Sequence, residues 1–145
     1  VVAIIMGFLF KSLRLALLSL IPNIIPLLVI GGIMGFFGID LKISTSVIFG
    51  IAFGIAVDDS IHYLVKYRQE RKKGKSKLYA LKRTSISTGK AIILTTLILC
   101  MGFIALSTSD FTSTFYVGAL ISLTLASAVI ADLILLPVLL AKYSD

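Results

Sequence analysis

Charged side chains in this chain fall into a few islands separated by long apolar runs. No charge occurs between Arg14 and Asp40, and after Lys42 the next charges are Asp58 and Asp59. The stretches from Lys90 to Asp110 and from Asp110 to Asp132 are also free of charge. Each gap approaches or exceeds the ~20 residues that cross a bilayer core at about 1.5 Å rise per residue. Backbone polar groups find no water there, so the runs predict helices; a barrel would need short alternating strands. Five spans follow, at about 1–10, 15–37, 44–65, 91–106 and 114–136, with a basic loop at 66–90. The expected fold is an all-α membrane domain, a bundle of five transmembrane helices with the first one truncated.

Each element carries its own detail. Val1 to Phe10 is too short to span and ends at Lys11, with its positive charge after the apolar stretch. That order opposes a signal peptide and suits the tail of a helix that begins upstream. In the second span, Pro22 and Pro26 flank Asn23 and are expected to kink its end. Within the basic loop, Leu78, Leu81 and Ile86 lie among Lys82 and Arg83, which suits a helix lying in the headgroups or a solvated linker. The last span is expected to end near Pro137. Gly31, Gly32 and Gly35 read as helix-packing residues.

Composition agrees with the pattern. The 145 residues are 58% hydrophobic and only 14% charged, with a mean hydropathy of +1.06. That leaves too little polar surface to coat a water-soluble globule. A net charge of +7 raises nucleic acid as a partner, but ten of the fourteen basic residues lie between Lys66 and Lys90. Thirteen basic residues fall on one side of the predicted topology and Lys42 alone on the other. This asymmetry marks a cytoplasmic loop in a multi-pass protein of the cell membrane, with the lipid bilayer as partner and no nucleic acid. Cys100, the single cysteine, sits in an apolar run and reads as a small packing residue.

The chemistry concentrates in Gly50-Ile51-Ala52-Phe53-Gly54-Ile55-Ala56-Val57-Asp58-Asp59-Ser60-Ile61-His62. One aspartate at a helix centre costs about 2.5–3.5 kcal/mol on insertion scales, so such residues face a bundle interior or a wet cavity. Gly50, Gly54, Asp58 and His62 are four apart and form one stripe. The glycines predict close approach of another helix, with Asp58 on the protein-facing side and Asp59 turned about 100° from it. Two neighbouring carboxyls in a poorly solvated place do not both ionise easily. The working hypothesis is that at least one of them binds and releases a proton, the proton being the coupling ion and no other cofactor being required.

Competing readings of these residues stay open. Asp58 and Asp59 could be structural, paired to a cation on a helix elsewhere. His62, one turn from Asp58, is either relay support or an interfacial histidine. Thr95 and Thr96 either support the relay or bond their own backbone, the commoner habit. Asp132 is read first as a snorkelling or capping residue near the inner end of the last span, ahead of a role in transport. A metal site is disfavoured because one helix supplies too few convergent ligands. An intramembrane aspartyl protease is disfavoured because adjacent aspartates diverge and no second aspartate stands out at the same depth.

The segment Gly54-Ile55-Ala56-Val57-Asp58-Asp59-Ser60-Ile61-His62 resembles the fourth-helix signature of the resistance–nodulation–division (RND) superfamily, in its MMPL-type branch, which overlaps with sterol-sensing domains. Further matching pieces are Leu20-Ile21-Pro22-Asn23-Ile24-Ile25-Pro26, Thr88-Gly89-Lys90-Ala91-Ile92-Ile93-Leu94-Thr95-Thr96 and Leu135-Leu136-Pro137. The resemblance covers essentially the whole chain. It implies helices two to six of one half of a twelve-span exporter with large exterior domains, open to homo-oligomer formation. It also implies proton coupling at Asp58 and Asp59 and hydrophobic or lipid-like substrates. Many MMPL-type members have Asp-Tyr where this chain has Asp-Asp; the Asp-Asp-Ser-Ile-His form is more similar to the second half. Two other functions occur among such proteins: a sterol-sensing-type module that binds lipid and regulates, and a protein-secretion accessory.

Overall fold

The computed structural model describes residues 4, 5, 7, 8, 11, 13–40 and 42–143. Their long helices are α1 (Leu13–Phe36), α2 (Ile43–Lys72), α3 (Lys77–Leu106) and α4 (Thr112–Tyr143). All four are long and apolar enough to cross a membrane, and no strand occurs among the described residues. The all-α transmembrane bundle expected from the sequence is what the chain forms. The span expected at 1–10 lies largely outside the described residues.

The ends of the helices follow from local chemistry. Beyond α1, Gly38 takes a left-handed φ of +66°, while Ile39 N–H bonds Met34 O at 2.8 Å and Gly38 N–H bonds Gly35 O at 3.4 Å. This pair of hydrogen bonds to the last turn is a glycine C-cap, and Ile39 tucks into the adjacent apolar cluster. At the start of α2 the Thr45 hydroxyl accepts the Lys42 N–H at 2.7 Å. Gly74, with φ +77°, turns the chain after α2, and the Ser76 hydroxyl caps α3 by accepting the Tyr79 N–H at 3.3 Å.

The basic segment 66–90 is not a loop. It is the end of α2, a turn at 73–76, and the beginning of α3. Nor does Lys77–Ile86 form a separate helix lying in the headgroups, because it is the first part of continuous α3. Of its apolar residues Leu81 is buried with Tyr63, Leu64 and Tyr67, while Leu78 and Ile86 are exposed. At 30 residues each, α2 and α3 run about 45 Å, well past a core of about 30 Å. Glu70 sits between Lys66 at 3.5 Å and Lys73 at 3.2 Å in this extension.

The last helix also differs from expectation. α4 passes through Pro137 and continues to Tyr143, held by the burial of Leu136 and Leu140 on either side of the proline. α1 likewise runs unbroken through Pro22 and Pro26.

Two apolar clusters make the core. One gathers Tyr63, Leu64, Tyr67, Ala80, Leu81, Ile92, Leu136 and Leu140 near the basic turn. The other gathers Ile30, Met34, Ile48, Leu120, Ile121 and Leu125 toward the opposite end. Between them, on α1, α2 and α4, the chain places buried polar side chains.

Candidate functional site

Asn23 of α1, Ser60 of α2 and Asp132 of α4 meet in that intermediate layer, each essentially inaccessible. Asn23 Nδ2 donates to Ser19 O at 2.6 Å and to Ser60 Oγ at 3.0 Å. Ser60 Oγ in turn donates to Asp132 Oδ1 at 2.9 Å. Three helices are therefore tied by one directional chain of hydrogen bonds. Asn23 Oδ1 and Asp132 Oδ2 are buried and receive no hydrogen bond. Such orphans are rare in native interiors and call for an explanation.

Asp59, the neighbour of Ser60, is also buried, at 8% exposure. It reaches the wall of a groove of about 960 Å³ between α2 and α3. Gly54, Asp58, His62 and Thr95 line the same groove. Asp59 thus stands between an open cavity on one side and the buried polar layer on the other. No ion pair links Asp59 or Asp132 to a cation among the described residues.

Of the two adjacent aspartates, Asp58 is the one whose position differs from the sequence expectation. Asp58, expected on the protein-facing stripe, is about two-thirds exposed in the groove, as is His62. His62 Nε2 lies 3.6 Å from Asp58 Oδ1, one turn away. The stripe that carries them packs on no described helix: Gly50 and Gly54 are exposed, and a Cβ added to either meets nothing within 4 Å. Gly31, Gly32 and Gly35 are equally unpacked. The helix-packing role expected of these glycines therefore has no partner among the described residues. The buried face of α2 is instead the one carrying Ala52, Ala56, Asp59, Ser60 and Tyr63.

Thr95 follows its commoner habit, its hydroxyl donating back to Ala91 O and Ile92 O, both at 3.0 Å. Thr96, one residue on and about 100° around α3, is buried. No cluster of three metal-ligating side chains occurs among the described residues.

Asp132 requires a correction. It neither snorkels nor caps, because α4 continues eleven residues beyond it to Tyr143 and seals it from both ends of the helix. The premise that no second aspartate shares the depth of Asp59 fails with it, since Asp132 bonds the very next residue, Ser60. Ser60 was missed as a site residue, and Asn23 was read only for its helix. Both are polar residues inside apolar runs, the signal by which they could have been found.

The chain of bonds predicts a stability effect. Ser60→Ala leaves a buried Asn23 N–H and Asp132 Oδ1 without their partner. Each orphan costs about 1–3 kcal/mol in water-soluble proteins, and measured interhelical bonds in membranes average nearer ~0.6. With two orphans created at once, a loss of about 1–3 kcal/mol is expected, read as a lower unfolding midpoint by circular dichroism in detergent.

Comparison with known proteins adds the lineage. Over 139 residues the chain is 29% identical to the candidate membrane protein MJ1562 of Methanocaldococcus jannaschii, covering 96% of this chain and 36% of that protein. The chain thus spans about a third of the length of this relative. No solved structure matches it. The model of the MMPL family matches residues 1–145. With that match over the full length, and with the aspartate pair and its bundle in place, the chain belongs to the MMPL family of the RND superfamily.

Proposed function

We propose that this chain is the transmembrane part of a proton-motive-force-driven exporter, and that Asp59 is the carboxyl that takes up and releases the proton. The observation that carries the reading is the position of Asp59: buried in its helix packing, reachable from the α2–α3 groove, and unpaired with any described cation. A permanent charge in such a place is costly, whereas a group that exchanges a proton with the groove passes through a neutral state. Asp58 and His62 stand at the groove as the wetter partners. The basic turn at the end of α2 is cytoplasmic in this reading, which the excess of Lys and Arg there supports. The exposed glycine stripe and the apolar wall of the groove, with Ile55, Ile98 and Leu99, suit a second half of the parent protein that closes over Asp58 and Asp59. The transported molecules are hydrophobic or amphipathic, lipids or drugs.

The test uses the intact protein reconstituted into vesicles with an imposed pH gradient and a fluorescently labelled phospholipid as probe. Movement of the probe is expected to need the gradient and to stop when a protonophore collapses it. Probe movement that persists after collapse would remove the proton from the mechanism.

A further inference from the structure

The hydrogens of the Asn23–Ser60–Asp132 network can be counted. The group 2.6 Å from Ser19 O, a carbonyl oxygen, must be a donor, which assigns the Asn23 amide nitrogen to that side. The two N–H groups of that nitrogen are then both used, one on Ser19 O and one on Ser60 Oγ. Ser60 owns a single hydrogen, and it goes to Asp132 Oδ1. Every side-chain hydrogen of the three residues is spent, and two acceptors remain, Asn23 Oδ1 and Asp132 Oδ2. Asp132 is a carboxyl with no exposed surface and no cation paired to it among the described residues.

Two kinds of ion could make up the shortfall. A bound metal cation needs several converging oxygens, whereas this network offers two free ones and no metal-ligating cluster occurs among the described residues. A proton needs one oxygen. Placed on Asp132 Oδ2, it neutralises the buried carboxylate and turns an orphan acceptor into a donor, while Oδ1 keeps the Ser60 hydrogen bond.

We infer that Asp132 is a second proton-binding carboxyl of this bundle, with Ser60 and Asn23 fixing which of its oxygens carries the proton. This rests on the reading of the chain as proton-coupled and extends it from the groove to the interior. The charged group that acts on Asp132 from α2 is Asp59. α1 presents the uncharged Asn23. On α3 the charged residue at this level, where Gly89 approaches Leu133, is Lys90, which is exposed. On α4 itself the nearest cation is Lys142, near the end of the helix. Asp59 and Asp132 are thus two carboxyls that repel when both are charged, one at the groove and one sealed behind it. Removing the charge of one such carboxyl shifts the titration of the other.

The test is infrared difference spectroscopy on the intact protein in vesicles through a pH step, comparing the unmodified protein with Asp132→Asn, Asp59→Asn and Ser60→Ala. Asparagine keeps an acceptor for Ser60 and places an N–H where the proton would sit, so Asp132→Asn should fold normally. Asp132→Ala, which removes both, should lower the unfolding midpoint and serves as the stability control. A protonated-carboxyl band is expected in the unmodified protein and lost in Asp132→Asn. It is expected to shift in frequency in Ser60→Ala and to titrate at a different pH in Asp59→Asn. A carboxyl spectrum unchanged by Asp132→Asn overturns the inference, and so does a band that responds to sodium ions and not to pH. Neither result depends on transport, so the proposed function stands or falls separately on the labelled-lipid assay.

Discussion

Asp59→Asn is expected to reduce gradient-driven movement of the labelled lipid to the level of protein-free vesicles, with the protein inserted in normal amount. An amide matches the carboxyl in size and in its capacity for hydrogen bonds, so packing around the 8%-exposed side chain should persist. What the amide cannot do is gain and lose a proton. Asp58→Asn is expected to cause a smaller loss. Its side chain lies in the groove, about two-thirds exposed and within 3.6 Å of His62, where solvent and the imidazole can share the role of the missing carboxyl. The reverse order, with Asp58 indispensable and Asp59 replaceable, would place the working proton in the groove and detach it from the buried layer. Normal insertion is checked by the amount of protein in membranes and by its helical circular dichroism.

Gly118→Leu is expected to have the largest effect on stability. Gly118 lies in the first turns of α4, where the helix meets the end of α3 beyond a short turn. A Cβ built there would collide with Phe103 O, and would lie 2.9 Å from Leu106 Cβ and 3.0 Å from Ser107 N. Two of those three atoms are backbone and cannot swing aside. Overpacking of this kind costs about 1–3 kcal/mol and sometimes more, which exceeds the helix-propensity gain of roughly 0.5–1 kcal/mol from replacing a helical glycine. The contact is reinforced one turn on, where Ser122 Oγ donates to Gly118 O at 2.8 Å and Cys100 Sγ approaches Ser122 O at 3.5 Å. Gly118→Ala should already lower the unfolding midpoint, and leucine should prevent the α3–α4 pair from closing. Gly54→Ala is the contrasting case: nothing lies within 4 Å of its added Cβ, so within this bundle stability should stay within about 0.5 kcal/mol or rise. A marked loss from Gly54→Ala in the intact protein would reveal a helix from elsewhere seated on that stripe.

Gly118 and Gly54 also show where sequence reading stops. Both are glycines inside apolar helices, and small-residue spacing singled out Gly50 and Gly54, whose stripe is open. Spacing along one helix defines a face but not which neighbour, if any, covers it. The same limit explains the exposure of Asp58. The stripe argument was geometrically sound, yet the side of α2 that this chain buries is set by α1, α3 and α4 together. Likewise, Asp132 looked terminal because Pro137 suggested a stop, and tertiary burial of Leu136 and Leu140 carried the helix onward.

The sequence by itself determined the solvent and the class of element. Runs of apolar residues of bilayer length leave the backbone no alternative to helices, and isolated charges within those runs announce where chemistry sits. It also held the turn chemistry, with glycines at 38 and 74 where φ is positive. Tertiary structure alone decided the register between helices. A hydrogen bond reaching from Asn23 to Ser60 and on to Asp132 spans 109 positions of chain, and no local periodicity encodes which residues of three different helices stand at the same height. That height is settled by how the side chains of the two apolar clusters interlock, and the buried acid follows from it.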